Sequence, residues 1–348
     1  MPVNRPAARP SAEGYPSLRS AMWLYCLVLI GSIIVSTLQY NIDVVFLQLV
    51  VSVFITAGFT AVLMFASRVR PAAIFGERPT ARQVIISLLI GLSLWVPPTL
   101  IMLTIYAWLN SAVGPRTPPI PNDTFAALLI QNGLIAPLAQ GLLFWAFIQR
   151  AAEGLNRVRG ALLTAVLYAA YGLFTHYYAA SSIPGLLIVG LLAAFVVYAT
   201  RSAWCGIAVT AMYGVLWSMP ASLVADFIAG YFGDQSQATN PFSLRWLLLV
   251  AVTGFVAFIL FQVLRVTATG RSKRTPPHST PKRLWWIPLV ISALLLVVGV
   301  YGEVVARTLS YQQYVTQPQY VPAPAATMTP VPGAAPPVQV PKLPSQTP

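Results

Sequence analysis

The sequence is poor in charge. Only 8% of its 348 residues are Asp, Glu, Lys or Arg, against about 25% in ordinary soluble domains. So few charges cannot cover a water-facing surface. That excludes a soluble globular enzyme, a disordered protein and a nucleic-acid-binding domain. There are two cysteines, Cys26 and Cys205, each inside an apolar run. A disulfide framework and CxxC zinc spacing are therefore excluded, and both thiols are expected to be small buried hydrophobes. There are also only two histidines, His176 and His278. A zinc site takes three or four His, Cys or carboxylate ligands, so no metal and no other cofactor is expected. No Glu-Glu pair occurs anywhere in the chain.

What is abundant is apolar. Hydrophobic residues make up 57% of the chain. A membrane-crossing helix needs about 20 predominantly apolar residues, and nine such runs occur: 21–40, 43–66, 84–109, 124–148, 161–180, 183–200, 203–229, 244–266 and 284–305. The expected fold is an all-α, polytopic integral membrane bundle of about nine transmembrane helices. The first run is long and further runs follow it, so it is expected to be a retained anchor.

Basic residues favour the cytoplasmic side. Arg5, Arg9 and Arg19 precede the first run, and Arg68, Arg70, Arg78 and Arg82 follow the second. Arg150, Arg157 and Arg159 follow the fourth, and Arg201 the sixth. Arg265, Arg271, Lys273, Arg274, Lys282 and Arg283 follow the eighth. The alternate side holds Arg116, Arg245, Arg307 and Lys342, a split of 17 to 4 among the 21 basic residues. This places the N-terminus inside, the C-terminus outside, and the protein in the cell membrane as a multi-pass chain.

Local punctuation agrees. Asn122-Asp123-Thr124 is a capping sequence for the fourth helix. Pro184 starts the sixth, where a missing N–H costs nothing. Pro97-Pro98 is expected to kink the third run, and Pro220 the seventh. Trp95, Trp108, Trp285 and Trp286 are candidates for an interfacial belt. Small residues on the sixth and seventh runs (Gly185, Gly190, Gly206, Gly214) permit close helix approach, expected at internal seams rather than in a dimer.

The ends are of other material. Residues 1–20 form a basic N-terminal segment expected inside, residues 21–305 the helical domain, and residues 306–348 a tail with ten prolines expected outside as an extended linker. The loop at 267–283, with His278, is basic and is expected to be solvated. No internal repeat is visible. Ionisable residues within a membrane are functional candidates, but Asp43, Asp226 and Glu303 all lie at the edges of runs, so no buried proton relay is evident.

The fourth to seventh runs carry a resemblance. "APLAQGLLFWAFIQRA" (136–151) resembles the first motif, P-L-x-E-E-x-x-x-R-G, of the CAAX-protease and bacteriocin-processing (CPBP) family of intramembrane endopeptidases, which have a lysostaphin-resistance-like fold. "AIFGERPTARQVIISLLIG" (73–91) is similar to that family's loop-to-helix junction. "ALLTAVLYAAYGLF" (161–174) is similar to the second motif, F-x-x-x-H. "GLLIVGLLAAFVVYATRSAWCGIAVTAMYGVL" (185–216) resembles the third region, with "TRSAW" at its turn and an H-x-x-x-N helix after it. The resemblance covers about residues 70–217 and rests on order and spacing together.

Carried over singly, the family's two glutamates fall on Gln140 and Gly141, and its arginine on Trp145. Tyr168 stands for the phenylalanine of the second motif and Gly172 for its histidine. Thr210 stands for the histidine of the third region and Gly214 for its asparagine. In the family, glutamates and histidines activate water for peptide hydrolysis, with a metal in some accounts. Here none of them is present, and activating water needs a base, a metal or both.

The resemblance therefore implies a degenerate member that keeps the helical cage. Such a protein acts by binding a lipid, a hydrophobic peptide or another membrane protein, besides the bilayer itself. Relocated catalysis stays open, with His176, four residues beyond Gly172, joined by Glu153 or Asp226. A carrier of apolar substrates and an anchor for the Pro-rich tail also stay open.

Overall fold

In a computed structural model, residues 15–36, 46, 49–113, 125–175, 182–219, 230–232, 243–268, 285–298 and 301 are described. His176, Asp226, Asp43, Glu303, the 122–124 cap, Pro220 and the Pro-rich tail lie outside them. Among the described residues the protein is all-helical, apart from an isolated bridge between Gly76 and Ser202.

We number the helices α1 (Leu18–Ser36), α2 (Val51–Ala66), α3 (Pro71–Phe75), α4 (Ala81–Ser93), α5 (Val96–Val113), α6 (Phe125–Ala152), α7 (Arg157–Thr175), α8 (Ile183–Thr200), α9 (Ala203–Trp217), α10 (Leu244–Ala268) and α11 (Ile287–Val298). Helix falls within each of the nine apolar runs. Among the described residues, five stretches are long and apolar enough to cross a membrane: Leu18–Val35, Ala81–Ile105, Phe125–Ala152, Ile183–Thr200 and Leu244–Ala268.

Proline places the breaks where its chemistry demands. The third run ends its first helix at Ser93, with the Leu94 N–H on the Ile90 carbonyl, and restarts at Val96. Pro97 and Pro98 thus sit in the first turn of α5, where missing N–H groups leave no bond unmade. Pro184 occupies the first turn of α8 in the same way. α4 begins with a reciprocal cap: the Gln83 N–H donates to Thr80 Oγ1, and the Thr80 N–H donates to Gln83 Oε1.

α6 is not a uniform α-helix. Two stretches, Gln131–Ile135 and Leu142–Ile148, have π-helical hydrogen bonding, and the α-helical turns of Ala136–Gly141 stand between them. Pro137 cannot donate to a carbonyl one turn back, and its ring crowds that carbonyl. A widened π turn just before it relieves both defects. α2 starts with a third π stretch, Val51–Gly58, where the Thr56 hydroxyl donates to the Val51 carbonyl at 3.0 Å.

The core lies where α1, α2, α4, α6, α7, α8 and α9 meet. Small residues set its seams. A Cβ on Gly91 of α4 would come within 2.5 Å of the Val209 carbonyl oxygen of α9. One on Gly190 of α8 would lie 3.2 Å from Ala165 Cα of α7. The glycines of the sixth and seventh runs therefore serve seams inside the bundle. Polar side chains bridge other seams, of α1 and α2 with α7: Tyr25 donates to the Leu167 carbonyl at 3.0 Å, and the Thr56 and Tyr171 hydroxyls bond at 2.7 Å. α10 differs, with most of its length turned away from the protein. Leu247, Val252, Phe255 and Phe258 are exposed along it, as a lipid-facing helix requires.

Candidate functional site

The positions singled out by the sequence converge in the core. α6 carries Gln140, Gly141 and Trp145, α7 carries Tyr168 and Gly172, and α9 carries Thr210 and Gly214. Six of them are buried, and Gly214 is half-buried. Trp145 is fully buried, its ring centroid 5.2 Å from that of Tyr168. Phe144 packs edge-on against Tyr168 at 5.4 Å and lies 5.5 Å from Tyr171. A cluster of aromatic rings fills the place where the resemblance puts an arginine and a histidine-bearing helix.

The glycines are there because the helices touch. A Cβ on Gly141 would run into Ile207 of α9, with Cδ1 at 2.8 Å and Cγ1 closer. A Cβ on Gly214 would stand 2.8 Å from the Asn132 carbonyl carbon, in the first π stretch of α6, and closer still to its oxygen. Gly206, one turn before Thr210, admits the Trp145 ring: a Cβ there would lie 3.0 Å from Trp145 Cγ. At 214 a side chain would have to move the α6 backbone, and at 141 it would have to displace the Ile207 side chain.

Nor do the remaining polar groups reach outward. Thr210 Oγ1 donates back to the carbonyls of Gly206 and Ile207, at 3.2 and 3.1 Å. Gln140 is a neutral amide, a poor proton acceptor. The Trp145 indole N–H has no hydrogen-bond partner among the described residues. This donor set does not fit a metal ion, because it offers no thiolate, imidazole or carboxylate. Among the described residues no three of His, Cys, Asp and Glu come together to hold one elsewhere.

Of the relocated candidates, only Glu153 is described. It lies just past the end of α6, where its carboxylate pairs with the Arg150 guanidinium. Arg150 is the residue that sequence reasoning undervalued. Its side chain is 8% exposed. Nε donates to the Ile74 carbonyl at 3.2 Å, and Nη2 donates to the Arg201 carbonyl at 2.7 Å. The Arg201 carbonyl also accepts from the Glu77 N–H at 3.0 Å. One guanidinium thus clasps the end of α6, the 74–77 loop and the α8–α9 turn.

Backbone geometry makes the clasp possible. Gly76 has φ of 73°, a left-handed conformation open to glycine, and a Cβ there would lie 3.1 Å from Arg150 Cζ. Arg201 ends α8 in the left-handed region, with φ of 54°. Phe75 stacks on Trp204 across the same junction, centroids 5.0 Å apart. The sequence signal was a short glycine-containing loop facing the "TRSAW" turn.

Residues 122–216 match a family described as Rce1-like, type II CAAX prenyl endopeptidase Rce1-like. That segment is similar to the Rce1-like family. It runs from just before α6 to the last turn of α9, so it holds all seven motif positions and, of the clasp, Arg150 and Arg201. The Rce1-like family is one of intramembrane proteases. No curated protein and no solved structure matches the chain.

Proposed function

We propose that the protein is a non-hydrolytic, Rce1-like multi-pass protein of the cell membrane that binds a lipidated or otherwise hydrophobic peptide. Nine crossings, with the amino end inside and the Pro-rich tail outside, complete this reading. What supports it most is the closure at Gly214 by the Asn132 backbone and at Gly141 by the Ile207 side chain, where the family has an amide and an acid. Supporting it further, Gln140, Trp145, Thr210 and the glycines supply no base able to take a proton from water. The ligand class comes from the family description, whose prenyl endopeptidases act on lipid-modified chains.

The test is a cleavage assay on the purified full-length chain in detergent, with a farnesylated C-terminal peptide and its unmodified counterpart. Mass spectrometry of the products is expected to show no cleavage, while the farnesylated peptide alone is retained. Cleavage by the wild type that disappears in His176→Ala would overturn the reading in favour of relocated catalysis. Equal retention of both peptides would overturn the ligand assignment.

A further inference from the structure

We propose that the end of the bundle held by the Arg150 clasp is a binding surface for anionic lipid headgroups. This goes beyond the preceding reading and does not depend on whether the centre hydrolyses anything. The argument begins with what the clasp gathers. Arg68 and Arg70 lie in the link from α2 to α3, whose Ile74 carbonyl is bonded by Arg150. Arg82 lies in the first turn of α4, just beyond the Glu77 N–H that bonds Arg201. Arg157 and Arg159 open α7, shortly after Glu153.

Arg265 joins them from the far side. Trp246, near the start of α10, packs with Leu100 of α5, while Leu264 packs in the main core. Starting beside Leu100 and packing against α4 as well as α5, α10 runs antiparallel to them, and its last turn returns to the end where α4 begins. All six arginines are exposed. The described carboxylates of this end are Glu77 and Glu153, and Glu153 is already engaged by Arg150. The surface is strongly positive, and it is assembled from four separate stretches of chain rather than from one basic run.

Its depth fits a headgroup layer. It caps the apolar helices, and Trp204, 42% exposed and stacked on Phe75, marks the rim as an interfacial aromatic does. Guanidinium groups match phosphate oxygens as bidentate donors. Arginines near a membrane surface each favour anionic lipid by about five-fold in equilibrium terms. A lipid phosphate is favoured over a free one because the bilayer holds it at that depth.

The experiment is native mass spectrometry of the full-length chain with phosphatidylglycerol and phosphatidylcholine at equal concentration. Thermal unfolding in vesicles of phosphatidylcholine, with and without about one quarter phosphatidylglycerol, accompanies it. The wild type is expected to retain phosphatidylglycerol about ten-fold over phosphatidylcholine, and to melt higher in the mixed vesicles. The triple variant Arg82→Gln, Arg157→Gln, Arg159→Gln should fall to about two-fold or less, whereas the corresponding lysine variant should keep most of the preference.

Arg245→Gln, at the opposite end where Arg245 bonds the Tyr231 carbonyl, should change nothing. Unchanged preference in the glutamine variant, or none in the wild type, would overturn the proposal. So would equal stabilisation by inorganic phosphate, which would make the surface a general anion site. Should the glutamine variant fail to fold, salt decides the matter: the wild-type preference must collapse between about 0.01 and 1 M ionic strength.

Discussion

The Asn132 carbonyl closes over Gly214, leaving α6 and α9 in backbone contact at the position where the resemblance puts a hydrogen-bonding side chain. Gly214→Ala must push a backbone carbonyl, which cannot rotate aside as a side chain could. Overpacking of this kind typically costs about 1–3 kcal/mol. Gly254→Ala is the matched control, because nothing lies within 4 Å of its would-be Cβ. Thermal unfolding in detergent should show a clear drop for the first and no drop for the second.

Gly141 and Ile207 make a second, separable contact. Gly141→Ala alone should destabilise by about 1–3 kcal/mol. Combined with Ile207→Ala, which removes the atoms the new methyl meets, the losses should be less than additive. Neighbouring residues couple by about 0.5–3 kcal/mol in such cycles. Strict additivity would mean that the two positions do not touch.

Restoring the family's residues should not restore chemistry. Gln140→Glu with Gly141→Glu places two carboxylates in an apolar seam with no space for one of them. Trp145→Arg puts an unpaired cation among aromatic rings. Uncompensated buried charge is among the mechanisms that produce the largest losses. The yield of monodisperse protein from size-exclusion chromatography should fall sharply for each, with no peptide cleavage gained.

Arg150→Gln should open the clasp. It removes the donors to Ile74 and Arg201 and leaves the Glu153 carboxylate without its partner. Breaking a buried pair from one side costs about 3–5 kcal/mol. Arg150→Lys keeps the charge but not the fork, and should fall between the two. Limited proteolysis should cut the 74–80 link first, before the helices around it.

Thr56 and Tyr171 share a buried hydroxyl–hydroxyl bond of 2.7 Å. Tyr171→Phe should cost about 1–2 kcal/mol, and Thr56→Val a similar amount. The double variant should cost less than the sum, because neither single change then strands a polar group. Chemical denaturation of the four proteins completes the cycle.

Much of this architecture was legible in the residues. Each apolar run contains helix, Pro97 and Pro184 mark first turns, and the small residues of α8 and α9 line seams. Of the motif positions, Trp145 and Tyr168 are in ring contact, and Gly141 and Gly214 lie at the seam of α6 with α9. Two things escaped the sequence for a physical reason: both depend on neighbours distant along the chain. A π turn has no composition of its own, and Pro137 alone could equally have produced a kink. Arg150 was counted as a charge that orients the chain, because an arginine at a helix end is usually solvated. Only the approach of Gly76 and Arg201 turns it into a clasp.

The two π stretches of α6 carry a consequence for how this helix tolerates insertions and deletions. A π turn is in effect one additional residue absorbed without breaking the rod. Each residue of an α-helix advances the side-chain direction by about 100°. Deleting a residue from the α-helical turns of Ala136–Gly141 would therefore swing Arg150 about a quarter of the way around the axis, away from Ile74 and Arg201, whereas a deletion within Leu142–Ile148 is taken up by closing the π turn into an α turn. In this helix, length is also angle. The widened turns act as a phase setting that holds the buried rings of its middle and the guanidinium of its end to their separate partners at once.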